Sequence, residues 1–151
     1  MALPGASELL STILPSRFAV VTSATYKLAE VRLRAAGLWE FVQNIVTSSD
    51  ITRGKPDPEP YCKGAGKLHL HPPDCIVIED APSGVRSGKA AGCRVIALRT
   101  TTSDDELLTA GADWVINDCA SLRAAPQASR TLLGIELLET AATERRVPKM
   151  F

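Results

Sequence analysis

Residues 76–98 read I-V-I-E-D-A-P-S-G-V-R-S-G-K-A-A-G-C-R-V-I-A-L. The stretch opens on a β-branched apolar run, crosses two acids and a proline, and closes on a second apolar run. Such runs suit strands buried on both faces, because they lack the polar alternation of a one-sided sheet. Between them residues 83–91 have helical character, and Gly92 serves as a helix stop. Strand, helix and strand in so short a span predict a βαβ unit, the connection that parallel strands require.

The same alternation extends in both directions. Residues 6–14 predict a short helix with Ser7 as candidate N-cap. Residues 18–21 predict a strand, and residues 25–36 a helix stopped by Gly37. A short strand follows at 45–47. A helix follows at 59–68, where Gly64 and Gly66 weaken the propensity. Beyond the opening stretch come a helix at 104–110, stopped by Gly111, and a strand at 114–116. Repeated strand and helix with short loops predict an α/β domain built on a parallel sheet. Residues 119–130, C-A-S-L-R-A-A-P-Q-A-S-R, read as a linker. Residues 131–145 read as a terminal helix, and the end of the chain as frayed.

At 151 residues the chain is of single-domain length. It is 45% hydrophobic and 23% charged, with 17 basic residues against 17 acidic ones. Without a basic excess, nucleic acid is not an expected partner. No run has the length of a membrane helix, and the amino terminus lacks the pattern of a leader peptide. A cytoplasmic setting is expected. The four cysteines show no metal-binding spacing and read as buried, reduced thiols. His69 and His71 read as part of a surface turn before Pro72.

In an open parallel sheet, ligands bind beyond the carboxyl ends of the strands. Three such ends carry polar residues. After the first strand, Thr22 and Ser23 could hold a phosphate oxygen or cap the next helix. In R-G-K-P-D-P-E-P-Y, Gly54 and Pro56 set the backbone around Lys55. The rigid loop aims a cation, or leaves a solvated lysine with Asp57 capping the following helix. At the opening stretch, Glu79 and Asp80 repel each other unless a cation sits beside them. Mg²⁺, which takes one or two carboxylates with water and phosphate oxygens, would fit. The alternative is Asp80 as an N-cap with Glu79 solvated. Together the three ends describe a phosphate and Mg²⁺ site.

These motifs, in this order, resemble the haloacid dehalogenase-like phosphatase superfamily, and within it the fungal glycerol-phosphate and 2-deoxyglucose-6-phosphate phosphatase branch. The hydroxyl motif matches F-A-V-V-T-S-A-T. The lysine motif matches G-K-P-D-P-E-P-Y. The acidic motif matches I-V-I-E-D-A-P-S-G-V-R-S-G-K-A-A-G. The resemblance spans residues 3 to about 117. It implies a Rossmann-like parallel sheet with flanking helices, and a Mg²⁺-dependent hydrolase of small sugar or polyol phosphates. Thr22 and Ser23 would hold the phosphoryl group. Lys55, the catalytic cation, would neutralise charge. Asp80 would bind the metal, with Glu79 in support.

The family's D-x-D-G-T motif, which carries its nucleophile, does not occur in these 151 residues, and the first aspartate is Asp50. The chain therefore resembles the carboxyl-terminal part of such an enzyme. It would lack the first strand, which in the family lies between the strands ending at Thr22 and Asp80, and it would lack the cap. On this reading residues 1–118 form a partial core, and 119–151 a linker and helical tail. The expectation is a truncated, inactive form. Alternatives are a phosphate-binding or interaction module that self-associates through exposed sheet edges, a phosphosugar mutase relative, and an incomplete gene product.

Overall fold

The computed structural model describes residues 2–125 and 135–138, and the backbone of residues 143–144. Helix α1 (Ala6–Ser11) leads to strand β1 (Val20–Val21), helix α2 (Tyr26–Ala35) and strand β2 (Ile45–Val46). Next come helix α3 (Glu59–Lys67), strand β3 (Ile76–Glu79), helix α4 (Pro82–Ala90) and strand β4 (Arg94–Leu98). Helix α5 (Asp104–Ala110) and strand β5 (Trp114–Ile116) follow. Strands β6 (Leu122–Ala124), β7 (Ile135–Leu137) and β8 (Thr143–Glu144) complete the set.

Parallel pairing joins β3, β4 and β5, with Val77 opposite Val95 and Ala97 opposite Val115. Strand β8 adds to β5 in antiparallel sense. β1 and β2 form a separate parallel pair, and β6 and β7 an antiparallel one. The expected α/β architecture is present, with its sheet divided between β1 and β3.

Both faces of the central sheet carry apolar packing, as its unbroken apolar runs require, with Ile78 of β3 left exposed. Val77, Val95, Ala97 and Val115 pack against Val85 of α4, Leu107 and Ala110 of α5, and Tyr61 of α3. On the other face Ile96, Leu98 and Ile116 meet Ala6 and Leu9 of α1, Ile13 and Leu122. Full burial of each such aliphatic side chain contributes about 1.5–3 kcal/mol. α5 is fixed at its start by a capping box between Ser103 and Glu106. Gly37, Gly92 and Gly111 all take positive φ (69, 91 and 111°), as expected of helix stops.

Gly64 weakens α3 as a helix yet suits its packing. A Cβ at that position would stand 2.8 Å from Val21 Cγ2, so the missing side chain lets α3 ride closely on β1. That contact, with others to β2 and α4, joins the β1–β2 pair to the rest of the molecule.

Several expectations change. Ser7 lies inside α1, and the N-cap is Gly5 in the left-handed region. The helix expected over 131–145 is replaced, in its described part, by β7 and β8. Ile135 and Leu137 flank Glu136 with a period of two. They pair with Ala124 and Leu122 and join the apolar cluster around α1, burial that a helix there would not reproduce. The linker expected from 119 likewise starts with a helical turn at Cys119–Ser121 and then β6. Residues 126–134, 139–142 and 145–151 lie outside the described residues.

Candidate functional site

The site is built around the loop from β2 to α3. Thr47, 1% exposed, donates both its N–H and its hydroxyl to Asp50 Oδ2, each at 2.7 Å. Glu59 accepts the N–H groups of Thr52 (2.9 Å) and Arg53 (2.8 Å), and these bonds hold its carboxyl down at about 2. Asp57 is not the N-cap of α3, which is Pro58, but from the position before it Asp57 Oδ1 accepts the Glu59 N–H at 2.9 Å. Buried Ser87 of α4 donates to the Asp57 carbonyl. The Lys55–Pro56 peptide is cis. A loop pinned at so many points fixes the backbone of Lys55.

From there the Lys55 side chain, 11% exposed, turns inward. Its ammonium donates to the Val21 carbonyl at 3.3 Å and to Glu79 Oε1, and lies over the Tyr61 ring, 4.9 Å from the centroid. Val21 ends β1 and Glu79 ends β3. One side chain thus connects the carboxyl ends of two strands that belong to separate sheets.

Glu79 is saturated. Oε1 accepts Lys55 and the Tyr61 hydroxyl (2.7 Å), while Oε2 accepts the N–H groups of Asp80 (2.9 Å) and Ala81 (3.1 Å). Burial works to raise its carboxyl. The charge of Lys55 opposes this, with hydrogen bonds from Lys55, Tyr61 and Ala81, and leaves the group below the usual 4.5. The Tyr61 phenol is pushed up, first by burial and then by the negative charge of Glu79. Gly84 lies directly against this carboxylate: a Cβ there would fall 2.0 Å from Glu79 Cδ.

Asp80 is exposed at the rim, and its Oδ2 accepts the Thr100 hydroxyl at 3.2 Å. It does not cap α4, whose N-cap is Ala81 and whose start takes no side-chain hydrogen bond. Among the described residues, no group of three or more His, Cys, Asp or Glu is placed to hold a metal. Asp80 therefore offers a single hard carboxylate. That fits Mg²⁺ held through one carboxylate, water and phosphate oxygens. With both oxygens engaged, Glu79 fits a supporting position better than a ligand position.

Thr22 follows β1. Its N–H donates to the Val46 carbonyl (2.9 Å), and its Oγ1 accepts the Ala24 N–H (3.1 Å). Neither Thr22 nor Ser23 caps α2, whose N-cap is Thr25. Thr22 is half-buried and Ser23 exposed. Lys55 thus contacts Val21 and Glu79, the residues that precede Thr22 and Asp80 along the chain, with Ser23 next to Thr22.

Tyr61, Thr100 and Ser87 escaped the reading of the sequence. Tyr61 falls on the buried stripe of α3 with Gly64 and Ala65, a pattern that signals core packing as readily as a polar contact. Cys93 and Cys119 are buried as expected, but Cys62 is exposed. His69 and His71 are exposed beside a turn.

Comparison with known proteins gives a consistent picture. The model of the haloacid dehalogenase-like hydrolase family matches residues 2–98. Hexitol phosphatase A of Escherichia coli is 44% identical over 108 residues, which cover 70% of this chain and 50% of that protein. Glycerol-1-phosphate phosphohydrolase 2 of Saccharomyces cerevisiae is 35% identical over 130 residues, covering 80% and 52%. A hydrolase from Pseudomonas syringae of known structure superimposes with a TM-score of 0.71 at 32% identity, covering 78% of this chain and 55% of its own. The chain spans about half the length of the curated relatives it matches.

Proposed function

Because this chain belongs to the haloacid dehalogenase-like hydrolase family, we propose that its rim holds a small phosphate monoester of the sugar or polyol class together with Mg²⁺. The observation that carries this reading is the Lys55 ammonium, which joins the ends of β1 and β3 beside Thr22 and Asp80. Thr22 and Ser23 would receive phosphoryl oxygens, Lys55 would offset their charge, and Asp80 would hold the metal, with Glu79 in support. Mg²⁺, when bound, withdraws charge from the phosphoryl oxygens. The phosphatase relatives named above support the substrate class. A cytoplasmic setting belongs to the same reading, and four free thiols suit it.

These 151 residues contain no D-x-D-G-T sequence. Covalent phosphoryl transfer needs an activated nucleophile, so the isolated chain binds phosphate without turning over esters. Calorimetry with inorganic phosphate and Mg²⁺, beside phosphate release from glycerol phosphate and 2-deoxyglucose 6-phosphate, tests this. Binding that Lys55→Ala abolishes, without release, is expected. Release that Lys55→Ala abolishes would overturn the inactive state, and absence of binding would overturn the site.

One observation favours an interaction role beside this. Ile78 of β3, a strand whose edge toward β1 has no partner strand among the described residues, is 38% exposed. Open edges of this kind pair readily with other strands. Self-association lost in Ile78→Lys, measured by sedimentation, would support that role, and a monomer at all concentrations would refute it.

A further inference from the structure

We propose that Tyr61 is a positioning residue: its hydroxyl occupies Glu79 Oε1 alongside Lys55, and its ring carries the ammonium, which keeps Lys55 open toward an anionic oxygen. The inference rests on the reading of Lys55 as the cation that meets phosphate. It adds a residue to which no role in the site had been given.

The geometry is a matter of counting donors and acceptors. A lysine ammonium has three N–H donors, and a carboxylate accepts about four hydrogen bonds. The described residues supply acceptors for two of the Lys55 donors, the Val21 carbonyl and Glu79 Oε1. One donor is left for a ligand. The four acceptances of Glu79 are filled by Lys55, Tyr61 and two backbone N–H groups. Lys55 therefore cannot take both carboxylate oxygens for itself.

Without the Tyr61 hydroxyl, a place on Oε1 falls empty in a buried setting. The ammonium, already in direct contact with Oε1, would then lose the neighbour that sets its direction there and turn about Glu79 away from Val21. The tyrosine ring acts in the same direction, since the face of an aromatic ring attracts a cation. At 8% exposure and on the inner stripe of α3, Tyr61 is well placed to hold both groups still. A residue that merely filled the core would be replaced by phenylalanine without consequence for the ammonium.

The test compares Tyr61→Phe, Tyr61→Leu and Lys55→Ala in the full chain. The probe is inorganic phosphate, read by calorimetry, with thermal unfolding as the check on folding. Tyr61→Phe is expected to weaken phosphate binding on the order of tenfold while the protein still unfolds cooperatively. Tyr61→Leu, which also removes the ring, should weaken it further. Phosphate affinity equal to wild type in Tyr61→Phe, with loss in Lys55→Ala, overturns this inference and leaves the proposed function standing. Wild-type protein that binds no phosphate overturns both.

A measurement on the wild type needs no variant. The Tyr61 hydroxyl proton should be observable by NMR, slowed in exchange by its bond to Glu79, with through-space contacts to the terminal methylene of Lys55. Its rapid exchange with solvent would overturn the inference even if the variants fail to fold.

Discussion

Replacing Lys55 by methionine keeps most of the side chain's volume and removes its charge. In the native protein the Lys55 and Glu79 side chains are 11% and 9% exposed. Removing one partner of a buried ion pair costs about 3–5 kcal/mol, because the other charge is left uncompensated. For a chain of this length each kcal/mol moves the melting temperature by about 2–4 °C, so the expected fall is roughly 6–20 °C. The pH dependence is the sharper observable. In the native protein Glu79 titrates below its usual 4.5 despite burial, through Lys55 first. Its contribution is therefore full above about 4.5 and is lost as pH falls through the lower folded value. In Lys55→Met, burial acts without its main opponent and raises the folded value above the unfolded one. Stability then declines as pH climbs from about 4.5 toward that raised value, by up to about 1.4 kcal/mol per pH unit. Urea unfolding between about pH 5 and pH 8 measures the slope. Lys55→Met/Glu79→Gln carries no charge at the pair, so it should be flat and recover more than half of the loss. A loss under about 1 kcal/mol, typical of a solvated pair, with a slope parallel to wild type, would refute the reasoning.

Gly84→Ala places a Cβ 2.0 Å from Glu79 Cδ. It should cost about 1–3 kcal/mol and weaken phosphate binding together with stability; a melting curve superimposable on wild type would contradict the contact. Leu107→Ala empties a fully buried position between α5 and the sheet. A loss of about 2–5 kcal/mol in denaturant unfolding is expected. Glu59→Gln removes the carboxylate that accepts the Thr52 and Arg53 N–H groups. Tryptic cleavage after Arg53 should become faster, and a cleavage rate equal to wild type would mean that other contacts hold the loop.

Local signals were legible where local chemistry decides. Helix α5 coincides with its expected bounds and β4 with the apolar run after Gly92, because an apolar run and a glycine stop are each encoded within a few residues. The convergence of Lys55 with Glu79 was legible only as a need: two adjacent acids had to find a cation. Their separation by 24 positions in sequence hides the direct contact, and Tyr61 lies on a stripe that signals core packing as readily as a polar contact. The carboxyl-terminal region misled for a related reason. I-E-L-L-E-T fits a helix as well as a strand, and the choice is made by Leu122 and α1, which lie far away in sequence.

The division between β1 and β3 makes the molecule resemble a book whose two leaves are fastened by a clasp. The smaller leaf, β1 with β2, reaches the larger one through α3 and the Lys55 amine. A guest that grips Thr22 on one leaf and Asp80 on the other would fasten the cover a second time. Its affinity would then be read directly as resistance of the Val20–Val46 amides to exchange, since a ligand confined to the shut form stabilises that form by mass action.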